Sequence, residues 1–75
     1  MFKEHEVVVL TVDLTAYGLA KGDAGTIVYL HPDKNGFEVE FNDSSGRLVA
    51  MEPMTPDQVR PLGKHEVLVS RAKAA

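Results

Sequence analysis

Cysteine is absent from the 75 residues of this chain, which excludes disulfide bonds and thiolate zinc sites. The three histidines, His5, His31 and His65, lie far apart without the spacing of metal ligands, so we expect no metal and no cofactor. A chain of this length buries only about 60% of its unfolded surface. Small domains of this kind often rely on disulfides, a metal or oligomerisation. Because the sequence argues against the first two, we expect a homo-oligomer.

Runs of positive charge and long apolar runs are missing as well. The net charge is −3, with eight basic and eleven acidic residues interspersed along the chain. Neutralising phosphate groups requires clustered lysine and arginine, so a nucleic-acid partner is disfavoured. No apolar run approaches the roughly 18 residues of a membrane span, and the first residues lack the basic and apolar regions of a secretory signal. We therefore expect a cytoplasmic protein without membrane contact.

Few residues are arranged for catalysis. Glu38 and Glu40 alternate with apolar residues on a predicted strand, so both carboxylates are expected to face solvent. Paired carboxylates can act as acid and base, but catalytic carboxylates are tuned by removal from water, which an exposed strand face does not provide. The serines and threonines fall in turns and the histidines lack partners, so the sequence shows no nucleophile and base. We expect no catalytic residues and no enzyme.

The stretch from residue 18 to residue 30 contains three glycines, Gly18, Gly22 and Gly25. A phosphate-binding loop is excluded, because no helix pattern follows Gly25 and the P-loop lysine with its serine or threonine is missing. We predict instead a turn at the corner of a barrel, with a bulge or a close backbone approach at Gly25.

Short apolar segments separated by turn residues predict five β-strands. The segment at residues 37–41 alternates, with Phe37, Val39 and Phe41 facing the core. Asn35-Gly36 before it is a strong hairpin signal. The predicted strands cover residues 7–11, 27–30, 37–41, 47–51 and 59–61, the last one an edge strand because Pro61 cannot donate to a ladder.

Two connections carry further predictions. Thr55 as N-cap, Pro56 at the first position and Gln58 completing a capping box predict one 3₁₀ turn before the last strand. Residues 12–17 show neither strand alternation nor helical length and predict a long loop. Its apolar side chains, Leu14, Tyr17 and Leu19, are expected to plug one end of the barrel, with a binding role as the alternative for Tyr17.

The composition changes at residue 63, so we divide the chain into a barrel at residues 1–62 and an extension at residues 63–75. Within the extension, Val67, Leu68 and Val69 form an apolar segment that has no place inside a completed barrel. The segment predicts an extra C-terminal strand that adds to another subunit. Val67 and Val69 are accordingly the candidate residues for self-association.

These elements describe an all-β protein, a small, closed, five-stranded SH3-like barrel. The sequence resembles a family of short bacterial proteins catalogued as a domain of unknown function, and the resemblance covers residues 2–62. It rests on Asp13-Leu14, Tyr17-Gly18-Leu19, Lys21-Gly22-Asp23, Gly25-Thr26-Ile27-Val28, Phe37-Glu38-Val39-Glu40-Phe41, Asp43, Gly46 and Gln58-Val59-Arg60-Pro61.

The resemblance implies an SH3-like barrel akin to those of nitrile hydratase β subunits and ribosomal KOW segments, with no known active site. It also implies that such proteins are often encoded beside small toxin-like proteins, so a neutralising or accessory role towards such a partner is expected. The kinship with nitrile hydratase also suggests an enzymatic role. That role would need a metal-bearing partner chain, and the suggestion rests on fold analogy alone.

Two functional hypotheses follow. The favoured one is a non-enzymatic protein-interaction module that self-associates, with Tyr17 and Arg60 contacting a partner. The alternative is a nucleic-acid-binding barrel of the KOW type, in which scattered cations such as Lys21, Arg47 and Arg60 would meet phosphates.

Overall fold

A computed structural model describes residues 2–33 and 35–66 of the chain. The strands are β1 (Val7–Leu10), β2 (Ala24–Leu30), β3 (Phe37–Asn42), β4 (Leu48–Met54) and β5 (Val59–Pro61). Two 3₁₀ turns, Thr15–Tyr17 and Pro56–Gln58, accompany them in this part of the chain. All five predicted strands are confirmed, with β2 starting three residues earlier and β4 ending three residues later than predicted. The described residues include no helix long and apolar enough to cross a membrane.

The strands form one antiparallel sheet in the order β4-β3-β2-β1-β5. Side chains from all five strands meet in a single core cluster, which requires the sheet to curl around one of its faces. The all-β, barrel-like architecture is confirmed, but the expectation of a closed barrel is wrong. Over the described residues, β4 and β5 do not pair with each other. β5 is only three residues long and contains Pro61, which cannot donate to a ladder.

The core lies on the inner face of the sheet and follows the alternation of β3. Phe37, Val39 and Phe41 are all buried, as predicted. Their neighbours in the cluster are Val8, Leu10, Leu19, Ile27, Ala50, Met54 and Val59. Val9 is also buried without belonging to this cluster, so β1 is buried on both of its faces.

Glycine is required at two positions where the backbone approaches another part of the sheet. A Cβ atom added to Gly25 would lie 2.7 Å from both Val39 Cγ1 and Phe41 Cε1, so the predicted close approach is confirmed. At Gly36 it would lie 2.7 Å from the carbonyl oxygen of Met54. The β2–β3 hairpin that Asn35-Gly36 predicts is present, with the amide of His31 donating to the carbonyl of Gly36 at 3.0 Å.

The loop between β1 and β2 contains the first 3₁₀ turn, which the sequence did not predict. Leu14 and Leu19 exchange backbone hydrogen bonds of 2.9 and 3.2 Å, and Gly18 closes the turn with φ +70°. Leu19 is buried and Leu14 packs against the core, as predicted. Tyr17 is exposed, so its prediction as a plug is wrong. The hydroxyl keeps a polar partner on β4 instead of entering an apolar core.

The second 3₁₀ turn forms as predicted before β5. The amide of Thr55 donates to Gln58 Oε1 at 2.8 Å, and the amide of Gln58 donates to the Thr55 carbonyl at 3.0 Å. Thr11 binds the turn to the end of β1, donating through its amide to the carbonyl of Gln58 and through its hydroxyl to the carbonyl of Asp57, both at 2.9 Å. This attachment places β5 beside β1.

Candidate functional site

The free edge of β4 carries exposed apolar side chains. In the described chain, the backbone of β4 pairs with β3 and forms no other backbone hydrogen bond. Leu48 is 54% exposed and Met51 is 47% exposed. Between them lie Val49 and Ala50, so residues 48–51 contain neither a charge nor a proline. We call residues 48–51 the open half of β4.

The remainder of β4 carries features that block the pairing of an edge strand. Glu52 is opposite Val39, which is buried, so the Glu52 carboxylate projects from the core-facing side of the sheet. Pro53 follows and lacks an N–H group. An inward-pointing charge and a proline are devices that natural sheets use to protect their edges. The open half has neither device.

Tyr17 binds to the protected part of β4. Its hydroxyl donates to Glu52 Oε2 at 2.6 Å. The hydrogen bond to this carboxylate, then its negative charge and lastly desolvation, raise the pKa of Tyr17 above the ordinary 10.0. The contact brings the first 3₁₀ turn to β4 beside the open half.

Arg60 on β5 is held by Glu66. Its Nη1 and Nη2 donate to Glu66 Oε1 and Oε2 at 2.9 and 2.8 Å, a bidentate pair. The amide of Gly63 donates to the same carboxylate at 2.6 Å. The hydrogen bonds from Arg60, then that from Gly63, lower the pKa of Glu66 to about 2. Glu66 in turn raises the pKa of Arg60.

The predicted site residues therefore do not form one site. Tyr17 and Arg60 have separate acidic partners, Glu52 and Glu66, and the described contacts include none between Tyr17 and Arg60. Val67 and Val69, together with the predicted extra strand, lie outside the described residues. Arg60, which the nucleic-acid hypothesis would direct at phosphates, has its guanidinium paired.

Sequence reasoning missed the open half as a surface, although it predicted a strand there. The signal was available, because alternation from Ala50 places Met51 on the outer face. What the pattern could not show is which strand becomes the edge. That depends on the order of the strands in the sheet.

His31 and Glu38 form a second polar pair near the β2–β3 hairpin. His31 Nε2 and Glu38 Oε2 are 2.7 Å apart, and both side chains are half-buried. The ring of Tyr29 meets the His31 ring edge-on, with centroids 6.0 Å apart. Glu38 is thus less exposed than predicted, because the hairpin folds His31 over it. The described residues contain no group of three or more His, Cys, Asp or Glu side chains that could hold a metal ion.

The family described as Domain of unknown function (DUF4926) matches residues 4–61. No curated protein and no solved structure matches the chain. The matched range contains all five strands, the open half, Tyr17 and Arg60, and it ends before Glu66. The predicted resemblance to a family without an assigned function is therefore confirmed.

Proposed function

Because this chain belongs to the family described as Domain of unknown function (DUF4926), which has no assigned role, we propose from the exposed edge of β4 that it is a non-enzymatic protein-binding module. The module works in the cytoplasm and self-associates by adding a strand to the open half of β4. Strand addition takes its affinity from main-chain hydrogen bonds and its specificity from alternate side chains.

The proposal rests on the contrast between the two parts of β4, residues 48–51 and residues 52–54. The part at Glu52 and Pro53 is protected, and the 3₁₀ turn reaches it through Tyr17. The open half combines an unpaired backbone edge with exposed Leu48 and Met51. Long apolar edges without a protecting charge or proline favour pairing with another chain.

Sedimentation velocity of the full chain over a series of concentrations tests the proposal. Met51→Glu places a charge in the open half and is expected to weaken self-association at least about tenfold, since a charge is costly in a desolvated contact. Tyr29→Glu is the matched control, because Tyr29 is 49% exposed but lies on β2, which has strands on both sides. A full chain that stays monomeric, or equal weakening by both variants, would refute the proposal.

The proposal includes an accessory or neutralising role towards a small protein encoded by a neighbouring gene. That part rests on the resemblance alone. Co-purification of the neighbouring protein with the full chain is the expected result, and an equimolar mixture that elutes as two separate species would contradict it.

A further inference from the structure

We infer that the strand occupying the open half of β4 is supplied by residues 67–70 of a second copy of this chain. The inference rests on the proposed function and adds the identity of the binding segment. Residues 67–70 read Val-Leu-Val-Ser, a β-branched and apolar composition that suits a strand. We call them the C-terminal segment.

The last described residue before this segment is bound to β5. Glu66, which directly precedes it, is held against Arg60 and Gly63 by three hydrogen bonds of 2.6 to 2.9 Å. β5 and β4 are the opposite edges of the sheet and do not pair with each other over the described residues. The C-terminal segment therefore follows one edge of the sheet, and the open half lies on the other.

The edge of β5 is a poor acceptor for a strand. It has three residues, one of which, Pro61, has no N–H group. The open half of β4 offers four consecutive residues that all carry both backbone groups. Two copies that exchange their segments reciprocally place each one on the partner's β4, which gives a closed two-fold dimer.

Residues 1–66 and the residues that follow the C-terminal segment carry net charges of opposite sign. Residues 1–66 contain all eleven acidic and six of the eight basic residues, hence a net charge of −5. The other two basic residues, Arg71 and Lys73, directly follow the C-terminal segment. Glu40 lies opposite Met51 on β3, so a carboxylate borders the Met51 end of the open half, while Arg47 precedes its Leu48 end. Opposite charges of this kind favour encounter and fix the orientation of binding.

Two double-lysine variants of the full chain distinguish the loss of an apolar contact from a change in charge. Val67→Lys with Val69→Lys is expected to weaken self-association at least about tenfold, although it adds positive charge to the attracted segment. Ala72→Lys with Ala74→Lys adds the same charges at the same spacing outside the segment and is expected to preserve the dimer. Unchanged association of the Val67 and Val69 variant, with weakening by Met51→Glu, would refute the inference and leave the proposed function standing. A monomeric full chain would refute both.

Cysteine pairs test where the segment lies, since the natural chain has none. Single variants at residue 48 or 51 are mixed with single variants at residue 67 or 69 and oxidised mildly. A disulfide requires Cβ atoms about 3.5–4.5 Å apart. At least one of these mixed pairs is expected to cross-link faster than either pair made with Tyr29→Cys. Equal or faster cross-linking by the Tyr29→Cys pairs would place the segment elsewhere and overturn the inference.

Discussion

The hydroxyl of Tyr17 donates a hydrogen bond of 2.6 Å to Oε2 of Glu52, a residue that follows 35 positions later in the chain. This contact brings the turn between β1 and β2 to edge strand β4. It gives the Glu52 carboxylate, which projects from the core-facing side of the sheet, a hydrogen-bond partner. The open half of β4 begins directly beside it.

Replacing Glu52 with glutamine should lower the pKa of Tyr17 towards its ordinary 10.0, because the substitution removes the carboxylate whose hydrogen bond and then whose charge disfavour the phenolate. The raised pKa means that the contact stabilises the fold fully below pH 10 and less as the pH rises through the folded pKa of Tyr17. An NMR titration of the Tyr17 ring measures this shift. Glu40→Gln is the control and should leave Tyr17 unchanged, whereas equal shifts in both variants would disprove a local contact.

Gly25→Ala should destabilise the chain by about 1–3 kcal/mol, the usual cost of overpacking a filled core. The new methyl group would lie 2.7 Å from Val39 Cγ1 and from Phe41 Cε1. Urea denaturation measures the change in the free energy of unfolding.

Combining Gly25→Ala with Val39→Ala should cost less than the sum of the two, because the methyl group then enters the space that Val39 vacates. Gly46→Ala is the control, since it adds a methyl group in open space at φ +87° and its cost comes from the backbone. Its effect should add to that of Val39→Ala. Strict additivity for Gly25→Ala would contradict the close approach.

Glu66 should titrate with a midpoint of about 2, well below its ordinary 4.5, because Arg60 and Gly63 bind the carboxylate. A lowered pKa means that this contact stabilises the fold above pH 4.5 and is lost as the pH falls towards 2. The amide of Gly63, followed by NMR, reports the titration directly.

Arg60→Gln should raise that midpoint towards 4.5, since the largest cause of the shift is removed. Lys64→Gln removes the same charge from a neighbouring residue outside the bidentate pair and should leave the midpoint nearly unchanged. A midpoint near 4.5 in the unaltered chain would show that Glu66 is not held in solution.

Local patterns predicted most of the fold. Alternation identified the inner face of β3, and Thr55 with Gln58 identified the second 3₁₀ turn, because both signals depend on residues close in sequence. Gly25 was predicted as a close approach, although its contacts with Val39 and Phe41 are remote in sequence. The main wrong prediction was that the barrel is closed. Closure depends on whether the two edge strands, β4 and β5, pair with each other, which local patterns do not show.

The candidate site was harder to predict because it depends on contacts between distant residues. The spacing of Leu14, Tyr17 and Leu19 predicts an apolar plug, but it does not show that Tyr17 has Glu52 as its partner. Arg60 is predicted to contact a partner, and no local signal indicates that Glu66 binds it. Alternation places Met51 on the outer face, but that residues 48–51 form a free edge follows only from the strand order.

Strand addition to β4 is most directly tested by amide hydrogen exchange of residues 48–51, measured by NMR at low and high protein concentration. Added strands bond to alternate residues of an antiparallel edge, so we expect alternate amides in this range to gain protection as the chain associates. The amides of β2 serve as the reference, because that strand is already paired on both sides. Association without any gain of protection in residues 48–51 would show that the chain does not associate through β4.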